Sequence, residues 1–396
     1  MNAHDAPTLR GKTAVVGIGE TEYFRHGKSP DAEFKLALRA TLNACEDAGI
    51  DPRRIDGFSS YGNDRSDPSR MAAALGIREL RFSCMQWGGG GGGVSAAVGN
   101  AAAALATGMA DCVVVMRALA QGQYQRYGRG QVEQTISGEY ALTVPYGLIS
   151  PAQRFAMKVR RFMHDHGIGQ EALRAIALAS YHHAQRNPRA VMFGKPLTEE
   201  KYDQSRWITE PFHLFDCCME NDGAAAMILV RAEEAADLPG MPVYLLAAAA
   251  GSDHRCAAWS HNAPGYASSS FPGVARNLYR MARVEPADFD FVQSYENFTG
   301  GVLMALIEHG LFSAEAANDF LKPENLIAPG GALPLNTSGG NLAECYMHGL
   351  ELHLEAVRQL RGTSTAQIDN ARLGLVIGGP MVTPVSSAIY GTGTAL

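Results

Sequence analysis

No stretch of this chain is apolar for the length that a bilayer demands. The longest strongly apolar runs, such as Val243 to Ala250, fall far short of the roughly 20 residues a membrane helix needs. The opening residues, Met1 to Thr13, are polar and hold no apolar signal core. Cysteine is sparse and unpatterned: there are seven, an odd number, with no spaced pair of pairs and with Cys217 and Cys218 simply adjacent. That argues against a disulfide framework or a structural zinc in this chain and points to reduced thiols in the cytoplasm. Positive charge is also short. Lys and Arg number 34 against 40 Asp and Glu, a net charge of −6 with no basic run, which argues against a nucleic-acid surface. Charged residues make up 19% and apolar residues 46%, the balance of a globular protein with a large interior. The 396 residues suffice for two or three domain-sized units, or for two halves sharing one core.

Glycine is plentiful, and one cluster organises the chain. Gly88 to Gly93 form six consecutive glycines after Trp87 and run straight into Val94, Ser95 and an alanine-rich stretch ending at Ala106. Six glycines favour neither helix nor strand. A flexible linker would lead into polar sequence, whereas this run leads into a helix that is apolar nearly all round. Glycines before a helix let bare N–H groups reach a ligand where the helix end favours negative charge. Such a turn suits an oxyanion or a phosphate.

Around it the chain alternates. Thr13 to Ile18 reads as a buried strand. Ser29-Pro30 then starts a helix with Phe34, Ala37, Leu38, Ala44, Cys45 and Ala48 on one face, stopped by Gly49. Ile55 to Tyr61 and Asp111 to Met116 are further strands. Strand, helix, strand, helix, strand argues for an α/β fold with a parallel sheet covered by helices. From Leu119 to Phe212 the character changes, with helical segments Pro151 to His166 and Gln170 to Arg186; this reads as an insertion folded over the sheet. His164, His166, His182 and His183 lie in its charged helices and read as solvated. Ala224 to Val230 returns to the core as a strand. The second half repeats the plan: strand Val243 to Ala250, helix Phe271 to Arg283, strand Phe289 to Ser294, helix Phe298 to His309, helix Met347 to Leu360 and a final strand Arg372 to Gly378. The letters repeat too. Ala48 to Asn63 (AGIDPRRIDGFSSYGN) aligns without gaps on Ala282 to Asn297 (ARVEPADFDFVQSYEN). An internal duplication of a βαβαβ unit explains both.

A duplicated α/β half, a glycine-bearing turn before a buried helix and the late loop Asn336-Thr337-Ser338-Gly339-Gly340 together resemble the thiolase superfamily over nearly the whole chain. The resemblance implies a five-layer αβαβα core. Residues 1–118 and 212–235 would form the N-terminal half, 119–211 an inserted loop domain, and 236–396 the C-terminal half. It also marks departures. Counting back from Gly108-Met109-Ala110-Asp111, the position of the thiolase nucleophilic Cys falls on Gly90 or Gly91. The position of the catalytic His, ten residues after Asn336, is Tyr346. The second Cys falls on Val376, before Ile377-Gly378-Gly379, and the Asn or His of the Asn-Glu-Ala-Phe block falls on Tyr295. Without an activated thiol there is no acyl-enzyme and no ordinary Claisen chemistry. Glycines in place of the Cys and tyrosines at these two blocks resemble a narrower group, the thiolase-like lipid-transfer-protein aldolases of bacterial steroid side-chain degradation.

That resemblance implies a lyase that cleaves a β-hydroxyacyl-CoA, such as a 17-hydroxy steroid C22-CoA, to a ketone and propanoyl-CoA. The CoA belongs to the substrate, and no cofactor or metal is implied in this chain. The implied partners are a small OB-fold, zinc-ribbon acyl-CoA-binding protein and a second copy of this chain, giving a homodimer or a heterotetramer, with no nucleic acid and no membrane.

Retro-aldol cleavage needs a base for the hydroxyl proton and a stabilised, then protonated, enolate. Tyr295 and Tyr346 are the expected acid–base pair. Backbone N–H groups of Gly90, Gly91 and Gly378 are the expected oxyanion donors, with Asn336, Glu344 and His348 as further binding or tuning residues. Tyr61 occupies the repeat position of Tyr295, so a packing role for both stays open, as does a surface or supporting role for Glu344 and His348. Cys84 is the thiol expected near the glycines, too far from the helix start for a nucleophile. An acyltransferase without Cys, or a silent acyl-CoA-binding scaffold, are the alternatives.

Overall fold

The computed structural model describes residues 8–62, 64–87, 90–124, 136–254 and 265–396. Gly88 and Gly89 of the glycine run lie outside the described residues. The first half contributes β1 (Thr13–Glu20), α1 (Glu33–Ala48), β2 (Gly57–Tyr61), β3 (Phe82–Gln86), α2 (Val94–Ala106) and β4 (Cys112–Ala120). Helices α3 (Pro151–His166) and α4 (Gln170–Ala184) follow, and β5 (Asn221–Arg231) closes that half. The second half contributes β6 (Val243–Gly251), α5 (Pro272–Ala282), β7 (Phe291–Ser294), α6 (Thr299–Glu308), α7 (Leu350–Arg361), β8 (Leu373–Ile377) and β9 (Val385–Gly391).

The strands form one hydrogen-bonded path, β7–β8–β9–β6–β1–β5–β4–β2–β3. The two halves meet at β1 and β6, which pair antiparallel only at Ala14–Tyr244 and Val15–Val243. Outward from that seam the order β1–β5–β4–β2 in one half matches β6–β9–β8–β7 in the other. A parallel bridge from Val292 to Leu335 stands where β3 flanks β2. The duplication read from the letters is therefore a duplication of topology. The sheet is mixed rather than parallel: β2 runs parallel to β3 and β4, and β7 to β8, while β5 and β9 run antiparallel to both neighbours.

Helix contacts give five layers. α1 covers β1, β4 and β5 on one outside, and α5 covers β6 and β9 on the other. Between the half-sheets lie α2 and α7, each touching strands of both halves. This explains why α2 is alanine-rich and mostly apolar: lying between two sheets it is buried along most of its length, with Ala103 and Ala106 exposed, and small side chains let both sheets approach. The insertion helices α3 and α4 pack on α6 of the second half.

Three local differences have physical causes. α1 starts at Glu33, because the Ser29 hydroxyl is spent on a turn with Asp31 and does not cap a helix. Its buried face uses Leu36 and Ala40, while Phe34 and Leu38 are half-buried. β3 and β9 carry no clean apolar run. β3 is an edge strand with alternate residues exposed. β9 places Ser386 and Ser387 in its interior, where their hydroxyls meet Gly92 O at 2.6 Å and His309 Nε2 at 3.0 Å.

Candidate active site

The site forms where the C-terminal ends of β2 and β7 face the start of α2. Past the end of β7, the Tyr295 N–H donates to Ile377 O at 2.9 Å, which extends the strand pairing by one residue and fixes where the side chain leaves the sheet. Tyr346 arrives from the loop after Asn336, anchored by its N–H to Asn221 Oδ1 at 3.0 Å. The Tyr295 hydroxyl donates to the Tyr346 hydroxyl at 2.8 Å, with ring centroids 5.9 Å apart at 60°. Tyr295 is 1% exposed and Tyr346 9%. Burial, with Tyr346 and Cys218 alongside, holds the Tyr295 phenol well above its ordinary value of 10, so it is a neutral O–H at working pH.

The glycine turn is shaped around this pair. A Cβ on Gly91 would lie 2.0 Å from Tyr295 Cε2, and one on Gly349 would lie 2.7 Å from Tyr295 Cδ2. The Tyr295 ring is thus clamped between two glycine backbones. Gly90 to Gly93 form a 3-10 turn that continues into α2, with Gly90 at φ +47° and its outward direction aimed at the Tyr295 hydroxyl, 4.0 Å away. The turn is pinned from the second half: Gly379 N–H donates to Gly91 O at 2.8 Å, and the Ser386 hydroxyl to Gly92 O. Gly378 is a correction. Its N–H donates to Ser386 O at 2.8 Å, so it is committed to the sheet and not free for an oxyanion. The amides of Gly90 and Gly91, first in the turn, have no acceptor within it.

Asn336 and Glu344 belong to the scaffold. Asn336 sits at φ +52° and lends its amide to Ser294 as a false strand, Oδ1 accepting from Ser294 N–H at 2.7 Å and Nδ2 donating to Ser294 O at 2.8 Å. It thereby holds the strand end carrying Tyr295, with no amide group left for substrate. Glu344 is fully buried against the Ser338 hydroxyl and Asn187 Nδ2, with Arg189 at 3.9 Å. Burial pushes its carboxyl up to about 7.

His348 does face the pair. Its ring stands edge-on to Tyr346, centroids 5.0 Å apart at 88°, and its Nδ1 is 2.9 Å from Arg117 Nη2. Arginine only donates, so Nδ1 accepts. Burial first, then Arg117 and Arg65, hold the imidazole well below 6.5. Tyr61, the repeat partner of Tyr295, has the packing role: its hydroxyl bonds to the carbonyls of Met347 at 3.3 Å and His348 at 3.1 Å.

Two residues at the site escape a reading of the sequence. Cys218, not Cys84, is the thiol beside the tyrosines. Cys84 lies on β3 against Asn100, while the Cys218 thiol lies beside the Tyr346 hydroxyl and the Cys218 N–H donates to Asn297 O at 3.1 Å. Burial pushes that thiol up to about 12. Arg117, the second, is a lone cation in an otherwise apolar strand, and that isolation is the signal it offers. His183 differs from expectation as well. It is fully buried in α4, accepts the Ala328 N–H at 2.9 Å, and is held down to about 3 by burial. Among the described residues no group of three or more His, Cys, Asp or Glu is placed to hold a metal ion, and no helix is long and apolar enough to cross a membrane.

Comparison with known proteins agrees with this geometry. Residues 251–392 match the family model for a thiolase C-terminal domain-like region. The chain is 39% identical to the steroid side-chain-cleaving aldolase of Thermomonospora curvata, over 97% of this chain and 98% of that protein. It is 38% identical to the 17-hydroxy-3-oxo-4-pregnene-20-carboxyl-CoA lyase of Mycobacterium tuberculosis, over 97% of this chain and all of that protein. The solved structure of an Ltp2-ChsH2(DUF35) aldolase superposes with a TM-score of 0.90 at 37% identity, covering 98% of this chain and 99% of that one.

Proposed function

We propose that this chain, which belongs to the thiolase-fold family of steroid side-chain-cleaving aldolases, cleaves a β-hydroxyacyl-CoA by a retro-aldol reaction. The substrate proposed is a 17-hydroxy steroid with a three-carbon CoA-thioester side chain, and the products are the 17-ketone and propanoyl-CoA. The observation that carries the reading is the 2.8 Å hydrogen bond between the hydroxyls of Tyr295 and Tyr346 at the glycine turn.

In this reaction the tertiary hydroxyl loses its proton as the carbon–carbon bond breaks. The bonding pair passes to the α-carbon with thioester-enolate character, and that carbon takes a proton from the tyrosine pair as the tyrosine pair takes the hydroxyl's. One proton leaves and one arrives, so the sum is neutral. A neutral phenol is a poor base alone, but two joined by a hydrogen bond can accept at one oxygen while giving from the other. The pair serves as that relay, and neither phenol needs to ionise. The amides of Gly90 and Gly91 are the proposed donors to the thioester oxygen as charge gathers there, at roughly 2.7–4 kcal/mol per donor for effects of this class.

The reading includes a partner, a small OB-fold, zinc-ribbon protein that binds acyl-CoA, and a homodimer of this chain, both proposed from the family. It includes a cytoplasmic location for the same reason. The test is to co-purify the chain with such a partner, supply the 17-hydroxy steroid thioester, and follow products by mass. The 17-ketone with propanoyl-CoA is the expected result. Bound but uncleaved substrate, with simpler β-hydroxyacyl-CoAs also untouched, would overturn the reading in favour of a silent acyl-CoA-binding role.

A further inference from the structure

Among the described residues Arg117 is the largest side chain to be wholly buried, at 1% exposure. A buried guanidinium must be paired and hydrogen-bonded to persist. Its charge partner is Asp64, 3.3 Å away and itself buried. Its Nη1 and Nη2 donors also reach Tyr61 O at 2.9 Å, Gly62 O at 3.0 Å and His348 Nδ1 at 2.9 Å, while Nε has no partner among the described residues. These acceptors belong to both halves of the site. A Cβ on Gly62 would lie 3.2 Å from Gly90 O, so Gly62 is the floor of the glycine turn. His348 is the wall behind Tyr346, and its backbone is held at φ +52° with the Tyr61 hydroxyl on its carbonyl.

We propose that Arg117 is a positioning residue for the tyrosine pair: it fixes His348 in one tautomer and one charge state, so that the ring behind Tyr346 orients that phenol without exchanging protons with it. The physical reason is direct. An arginine never accepts, so the nitrogen facing it cannot carry a proton, and the imidazole proton stays on Nε2. A second proton would have to go onto Nδ1, against a cation. Among the described residues, the other groups facing His348 are Arg65 on the loop after β2, paired to Glu33, and the phenols of Tyr61 and Tyr346, none of them an anion. Asp64 is spent on Arg117. A histidine free to titrate near pH 6.5 beside the relay would divert the proton on its way from hydroxyl to carbon.

The inference rests on the aldolase reading for its activity measurements, and one arm is independent of it. Wild-type protein labelled with nitrogen-15 at histidine is followed by long-range nitrogen–proton spectra from pH 5 to 8, with the His348 signal assigned by its loss in His348→Asn. The expected signal is an Nε2–H tautomer that does not titrate; a His348 signal titrating in that range would overturn the proposal, whatever the enzyme cleaves. Asn suits the control, because its amide oxygen takes the place of Nδ1 and it tolerates positive φ. In the activity arm, Arg117→Lys keeps the charge but cannot serve all four acceptors. The expected result is a kcat lowered about 10- to 50-fold with KM within about threefold, as for a lost transition-state alignment. Burial and a cation still hold the imidazole low in this variant, so its pH profile should keep the wild-type shape, and adding His348→Asn should cost little beyond the worse single variant. An unchanged kcat, or fold-losses for the two variants that simply multiply, would overturn it.

Discussion

The ring of Tyr295 lies where a side chain at position 91 would begin, since a Cβ on Gly91 would stand 2.0 Å from Tyr295 Cε2. The two positions exclude each other. A Cys at position 91 would have no room beside this tyrosine, whereas a Cβ at position 90 would stand 4.0 Å from its hydroxyl. The glycine run clears space for an active-site side chain as well as for substrate. Gly91→Ala should therefore act through Tyr295. Gly91 is not at positive φ, so alanine brings no backbone strain of its own. The ring must move, and misplacement by about 1 Å costs on the order of 10²-fold in rate. The expected outcome is a kcat lower by at least ~10²-fold in a protein of near wild-type far-UV spectrum; wild-type turnover would show that the ring at 295 is not needed in place.

Tyr295→Phe and Tyr346→Phe each remove one oxygen from the relay while keeping ring volume. General acid–base groups contribute ~10²–10⁴-fold, so each variant should lose that much in kcat with little change in KM. Because the pair acts as one unit, the double variant should be barely slower than the worse single variant. Losses that multiply would mean two independent proton transfers instead.

How much of this was legible in the letters depends on where each signal lies. The duplication stands in Ala48 to Asn63 and Ala282 to Asn297 because a helix–loop–strand junction constrains contiguous residues. Tyr295 and Tyr346 were found by position within such blocks, 51 residues apart. The roles of Asn336 and Gly378 were not legible, because they turn on whether an amide is already spent on Ser294 or Ser386. Arg117 and Cys218 come to the site from β4 and the approach to β5, whose placement beside His348 and Tyr346 no local pattern states. β9 was hidden by two serines whose hydroxyls find partners only in the assembled core.

Cys218 invites a covalent reading that its chemistry opposes. A thiol held near 12 is almost wholly protonated at pH 7.5, and the thiolate is the nucleophile. No acyl adduct should accumulate on the chain during turnover, as read by intact-protein mass at steady state. Cys218→Ala should keep kcat within about tenfold, the loss being one polar neighbour of the Tyr346 hydroxyl. Abolished activity together with a trapped thioester in the wild type would return the enzyme to thiolase chemistry.

β3 ends the sheet path, and its outer side carries Met85 at 47% and, just beyond, Trp87 at 85% exposure. An open edge with exposed apolar residues invites another strand. The proposed occupant is the same edge of a second copy, paired about a twofold axis. Met85→Glu places like charges face to face across such an axis and should shift the mass by light scattering from dimer toward monomer at micromolar concentration. A dimer unaffected by Met85→Glu and by Ser83→Pro would place the contact elsewhere.

Glu351 gives the stability curve a slope opposite to that of a salt-bridged acid. It is buried on α7, with one oxygen accepting from Asn341 Nδ2 and the other without a partner among the described residues. Burial, aided by the charge of Glu344, lifts its carboxyl from 4.5 to about 8. Between those values the folded chain holds a proton that the unfolded chain has lost. Stability therefore falls as pH rises through this window, by on the order of a few kcal/mol when summed to pH 8. Glu296 and Glu344, each lifted to about 7, slope the same way over a shorter range. Glu351→Gln keeps the acceptor for Asn341 and abolishes the titration. Its thermal midpoint should match the wild type at pH 5 and exceed it by several degrees at pH 8. A variant less stable than the wild type at both pH values would mean that Glu351 is ionised and paired in the folded protein.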